Sequence, residues 1–130
     1  KIGFDNGLAH RIFAGADMIL IPSRFEPCGL TQLYAMRYGS VPIASAVGGL
    51  KDTIEEVELS EGTYDSGSGY LFEPLTAEMF WGAIERAAKL YRSEPAQWQE
   101  LAKSIMAKDF AWRVSARAYI DCYAQTMNQG

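Results

Sequence analysis

Short apolar runs alternate with glycine-punctuated polar stretches through the first 75 residues, and a longer helical period takes over after them. Residues 2–4, 18–22 and 41–46 are apolar and bounded by turn signals, the pattern of strands buried on both faces. A fourth such run, 69–72, follows the polar stretch 63–68. Residues 10–14 and 29–38 lie between the runs and can be helical. Strand and helix in alternation predict parallel βαβ units, hence an α/β fold built on a parallel sheet.

The second half reads as helix. Thr76 stands where an N-cap belongs, and Phe80, Ile84, Ala87 and Tyr91 then recur at helical spacing. Ser93-Glu94-Pro95 predicts a restart, with proline in the first turn. Trp98, Leu101, Ala102 and Ile105 form the apolar face of that helix. Asp109 can cap a last helix whose stripe is Trp112, Ala116, Tyr119, Ile120, Tyr123 and Met127. The default reading of each aromatic here is core. Residues 1–75 are therefore the strand–helix part and 76–130 a helical tail, together one domain of ordinary size. The acidic positions Glu55, Glu56, Glu58 and Glu61 read as a solvated helix end and loop.

Composition narrows the partners. A hydrophobic fraction of 48% supports a packed core. A net charge of −4 without a basic block argues against nucleic acid, although a few backbone N–H groups can still hold a mononucleotide. No apolar run reaches the ~18 residues a membrane span needs, and Lys1 opens directly onto an apolar run rather than a leader, so the cytoplasm is the expected location. Cys28 and Cys122 share no metal-ligand spacing. One long-range disulfide between them stays open, but the ordinary reading is reduced thiols. No metal site is expected.

The stretch 22–32 carries the clearest chemistry. It follows an apolar strand and precedes a helix, so it lies at the carboxyl end of a parallel strand, where open α/β sheets bind ligands. Gly29 allows close backbone approach, and the N–H groups of Leu30 and Thr31 would face an anion from the helix start. Glu26, ahead of them, can accept hydrogen bonds from hydroxyls that the anion carries. Val47-Gly48-Gly49-Leu50 is a second glycine turn after a strand, ahead of a helix expected near Lys51. Two such turns on one sheet edge make a shared nucleotide site more credible than either alone. His10, the single histidine, reads as a helix-end or packing residue. A nucleophilic pair with Cys28 would lack a third orienting group.

Ser23 to Leu33, followed by Met36-Arg37-Tyr38-Gly39-Ser40-Val41-Pro42, resembles the signature of bacterial glycogen synthases and plant starch synthases. Gly3-Phe4, His10-Arg11-Ile12, Ala14-Gly15-Ala16-Asp17, Gly48 to Thr53, Gly69-Tyr70-Leu71-Phe72 and Asp109-Phe110-Ala111-Trp112 follow that family's order. The resemblance implies a retaining glucosyltransferase of GT-B architecture, which transfers glucose from ADP-glucose, in some members UDP-glucose, to the non-reducing end of an α-1,4-glucan without a metal or other cofactor. It implies that this chain is part of the Rossmann-like C-terminal domain. Glu26 would be catalytic, binding the donor glucose and stabilising charge at the reacting centre. Leu30 and Thr31 would offer N–H groups to the distal phosphate, with Gly29 permitting the approach and Cys28 beside them. Phe4 would stack on adenine where the family usually has tyrosine, and Gly48 and Gly49 would border the sugar–phosphate pocket.

Three departures bear on donor affinity. Tyr34 stands where many related glucosyltransferases carry a second glutamate, Val47 replaces a threonine, and Ala44-Ser45 replaces an ending such as Val-Arg. The resemblance further implies an earlier segment with an arginine and a lysine on the pyrophosphate, and an N-terminal domain that binds the glucan acceptor. Without them the isolated chain is expected to be nearly inactive, its tail helix is expected to pack across that other domain, and the strand at 2–4 is expected to leave a raw sheet edge that invites self-association. A plant member would sit in the plastid. The alternative is a stand-alone module that binds a nucleotide sugar or a partner and transfers nothing.

Overall fold

A strand whose one polar residue stands at its end has no face to offer water, and the sequence Val41-Pro42-Ile43-Ala44-Ser45 ends up with every residue buried. The computed structural model describes residues 2, 3 and 5–127. In chain order the elements are α1 (Asn6–Gly15), β1 (Met18–Ile21), α2 (Thr31–Arg37), β2 (Val41–Ser45), α3 (Gly48–Thr53), β3 (Glu58–Ser60), β4 (Thr63–Ser66), β5 (Tyr70–Phe72), α4 (Ala77–Ser93), α5 (Pro95–Ala107) and α6 (Trp112–Met127). β2 is the centre of a three-stranded sheet ordered β1-β2-β5. Both pairings are parallel, with Met18 opposite Val41 and Ile43 opposite Tyr70. The expected α/β fold with a partial parallel sheet is what forms.

The period of two along β2 sorts its residues between two cores. Val41 and Ile43 face a larger cluster with Met36 of α2, Tyr70 and Phe72 of β5, Ala83, Ala87 and Leu90 of α4, and Trp98, Leu101 and Ile105 of α5. Ala44 faces a smaller one with Ile21, Leu50 and Ile54. Met36, Ile43 and Leu101 are wholly enclosed, each worth roughly 1.5–3 kcal/mol against exposure.

Thr76 caps α4 through the Met79 N–H at 3.2 Å. Pro95 opens α5 after Glu94. Tyr91 of the expected stripe is half-exposed; its ring meets Trp98 edge-on at 5.3 Å and its hydroxyl donates to Asp17 at 3.2 Å, a bond that raises the phenol's pKa.

Several expectations are corrected. Ile2 and Gly3 lie outside any strand and Phe4 lies outside the described residues, so the sheet's open edge is β1, where Leu20 is half-exposed. The opposite edge is closed by side chains. Glu56 accepts from the Leu71 N–H at 2.6 Å, while Arg86 donates to the Leu71 carbonyl and to Glu56, both at 3.0 Å.

The acidic stretch is not merely a solvated loop, because Glu58 starts a hairpin. Its two-residue turn has both central residues at positive φ, Glu61 at 54° and Gly62 at 82°, which is the twist a tight hairpin requires. α3 begins at Gly48 rather than near Lys51. Finally, α6 buries nothing, against the core reading of its aromatics though in line with the expectation that some of a tail helix's aromatics lie exposed. Trp112, Tyr119, Ile120, Tyr123 and Met127 are all exposed, since no other described element covers its stripe.

Asp109 precedes α6 by three residues, outside the N-cap position expected of it. Its carboxylate accepts the Ala111 N–H at 3.0 Å, which together with Arg113 holds its pKa below the usual value. Both cysteines are free and exposed. No helix among the described residues is long and apolar enough to cross a membrane.

Candidate functional site

Parallel strands deliver their following loops to one edge of the sheet, and here the loops after β1 and β2 meet. Ser45, the last residue of β2, is buried and donates its hydroxyl to the Ser23 carbonyl at 2.6 Å. Ser23 in turn donates its own hydroxyl to Glu26 Oε2 at 3.2 Å. The Glu26 carboxylate is thus steered from the strand end through two serines. Its Oε1 has no hydrogen-bond partner among the described residues and is left to receive one.

The second loop seats the first through its main chain. The Gly49 N–H donates to the Glu26 carbonyl at 3.0 Å. Any side chain on the glycine pair would collide there. A Cβ at Gly48 would lie 2.1 Å from the Glu26 carbonyl oxygen, and one at Gly49 would lie 1.9 Å from that of Cys28. Gly48 also sits at φ +44°, and Gly29 at φ +69°. The space a Cβ would take at Gly29 is occupied by Glu26 Cγ and the Gln32 carboxamide, at 3.1 and 2.7 Å. Close packing of one loop on the other therefore requires glycine at positions 48 and 49, and the positive φ favours it at 29.

Of the residues singled out in the sequence, Glu26, Cys28, Gly29, Leu30, Thr31, Gly48 and Gly49 lie on these two loops and the helix starts they feed. Cys28, Leu30 and Thr31 are exposed, and no side chain caps α2 at Leu30. Phe4 lies outside the described residues. His10 is elsewhere: its Nδ1 is 3.0 Å from the Tyr38 hydroxyl, and its ring packs edge-on against Tyr34. Two depressions flank the site. One of about 460 Å³ is lined by Leu30, Tyr34, Arg37 and Phe110, the other of about 450 Å³ by Pro22, Arg24, Thr76 and Phe80. Among the described residues no group of three or more His, Cys, Asp or Glu side chains could hold a metal ion.

Sequence reasoning gave no role to Ser23, Ser45, Gln32 or Thr53, yet these side chains tie the site together. The signal was there for two of them. Ser45 ends an otherwise apolar strand, and Gln32 shares a helix face with Ala35 and Met36, both buried. A polar residue in such a position is kept by hydrogen bonds. Thr53, 21 positions from Gln32, carries no such mark.

The arrangement offers a carboxylate acceptor beside outward-facing main chain at the carboxyl ends of parallel strands, the equipment for a polar, hydroxyl-rich ligand. The description "Glycosyl transferases group 1" matches residues 2–105. Glycogen synthase 1 of Methylococcus capsulatus is 50% identical over 126 residues, which cover 97% of this chain and 25% of that protein. The glycogen synthase of Desulforudis audaxviator is 46% identical over 128 residues, which cover 98% of this chain and 25% of the relative. This chain therefore spans about a quarter of the length of the curated relatives it matches.

Among solved structures, the catalytic domain of starch synthase IV from Arabidopsis thaliana, bound to ADP and acarbose, superposes with a TM-score of 0.82 at 37% identity, covering 98% of this chain and 26% of that one. Sucrose-phosphate synthase from Thermosynechococcus elongatus gives 0.62 at 28% identity, covering 99% and 30%. With the family description matched over most of its length and the site at the expected sheet edge, this chain belongs to the glycosyl transferases group 1.

Proposed function

We propose that these residues form the donor side of a retaining glucosyltransferase of GT-B architecture, which transfers glucose from ADP-glucose to the non-reducing end of an α-1,4-glucan. The observation that carries the reading is the seating of Glu26. Its carboxylate is steered by Ser23, and its main chain is bonded by Gly49. In this reading Glu26 binds the donor glucose and offsets the positive charge that develops at the reacting carbon. Leu30 and Thr31 turn backbone N–H groups to the distal phosphate, Gly29 permits the approach, Cys28 lines it, and Gly48 and Gly49 border the pocket. Phe4 stacks on the base.

The names of the relatives support the reaction class, and the ADP and acarbose held by the starch synthase neighbour support the donor and acceptor classes. The longer protein brings the glucan through a further domain, so these residues alone bind donor without appreciable turnover. The reading needs no metal and places the protein in the cytoplasm.

Calorimetric titration with ADP-glucose and with UDP-glucose tests it. ADP-glucose is expected to bind selectively, and Glu26→Ala and Phe4→Ala are each expected to weaken it about tenfold, the worth of one charge-assisted or stacking contact. Absence of heat with both donors overturns donor binding by these residues alone and makes them an incomplete piece of the donor site.

A further inference from the structure

We propose that Gln32 and Thr53 are positioning residues for the loop that carries Glu26, acting through a closed circuit of hydrogen bonds. The inference rests on the donor-side reading above and adds to it what holds the loop in shape.

Gln32 is fully buried, a place where an amide is costly unless bonded. Its Nε2 faces three acceptors: the carbonyls of Cys28 at 3.3 Å and Gly29 at 3.2 Å, and Thr53 Oγ1 at 3.0 Å. That fixes the orientation of the amide, because a flip would set Oε1 against two carbonyl oxygens. The Thr53 hydroxyl spends its hydrogen on the Gly49 carbonyl and so meets Gln32 as an acceptor. The Gly49 N–H closes the circuit on the Glu26 carbonyl. Every link has one donor sense, from α2 through α3 and back to the loop.

One consequence reaches the site. A trans peptide turns its C=O and N–H in opposite directions. With the Cys28 and Gly29 carbonyls drawn in toward Gln32, the N–H groups of Gly29 and Leu30 are turned outward. The carboxamide and Glu26 Cγ also lie on the same side of the Gly29 Cα, each within 3.1 Å of the place a Cβ there would take. The cost is visible: Gln32 Oε1 is buried without a partner. A residue kept only for packing would not carry that orphan, since an apolar side chain of the same size would avoid it.

The test uses this chain with Thr53→Val, Thr53→Ser and Gln32→Glu, each checked for cooperative unfolding. Residual dipolar couplings of the Gly29 and Leu30 N–H vectors are read without ligand, and ADP-glucose affinity is read by calorimetry. Thr53→Val and Gln32→Glu are expected to change both couplings and to lower affinity about tenfold, the scale of one lost buried hydrogen bond. Thr53→Ser, which keeps the hydroxyl, is expected to restore most of both. Unchanged couplings in folded Thr53→Val overturn the proposal, as do changed couplings with unchanged affinity. Should Gln32→Glu fail to fold, the Thr53 pair still decides. A wild-type chain that ignores ADP-glucose counts only against donor binding by these residues in isolation, because the couplings are measured in its absence.

Discussion

α5 and α6 are written in the same style, yet one is embedded and the other bare. Both carry apolar residues at helical spacing, and both follow a break in the helical pattern. α5 packs against α2, α4 and β4, and its Trp98, Leu101 and Ile105 are all buried. α6 sets out Trp112, Tyr119, Ile120 and Tyr123 and buries none of them. An amphipathic stripe specifies which face seeks a partner and says nothing of whether the same stretch of chain supplies it. Stability in this molecule is therefore concentrated in α2, the sheet, α4 and α5, and α6 draws on local helix propensity alone.

The strongest way to break that comparison is to cut the core. Leu101→Ala is expected to cost about 2–5 kcal/mol in denaturant unfolding, the range for an enclosed leucine. A loss below 1 kcal/mol, on that same scale, would mean α5 is not part of the cooperative unit. A pH titration of stability sharpens it next. Burial, with Glu56 nearby and Arg86 partly opposing, pushes the Tyr70 phenol up to about 12. A group raised on folding stabilises below its unfolded pKa and loses that contribution as pH climbs toward the folded one. Stability should fall between pH 10 and about 12 with a slope of at most about 1.4 kcal/mol per unit, and Tyr70→Phe should remove that limb. The smallest effect is reserved for the bare helix: Tyr123→Ala should move the unfolding free energy by no more than about 0.5 kcal/mol, as surface changes do. A larger loss would show that α6 packs on the core in solution.

What the sequence made legible follows from how each signal is encoded. β2 could be read because burial on both faces leaves a continuous apolar run. The α4 cap could be read because Thr76 and Met79 are three apart. The β3–β4 hairpin could not. Its strands are mostly exposed, and its turn places Glu61, rather than asparagine or aspartate, at positive φ. The start of α3 was displaced by three residues because a glycine pair reads as a turn, whereas Gly48 and Gly49 open the helix itself. At the site, the loop from Ser23 to Thr31 declared itself locally. The circuit through Gln32, Thr53 and Gly49 joins residues that only the fold brings together, so no local pattern could announce it.

The Gly49 N–H bond to the Glu26 carbonyl joins main chain to main chain, and that has a consequence for descent. A junction written in peptide groups is copied faithfully through substitutions that replace most side chains around it, provided the glycines stay bare. Shape can then outlive sequence: this chain and the starch synthase domain differ at 63% of aligned positions, by subtraction from 37% identity, and still superpose with a TM-score of 0.82.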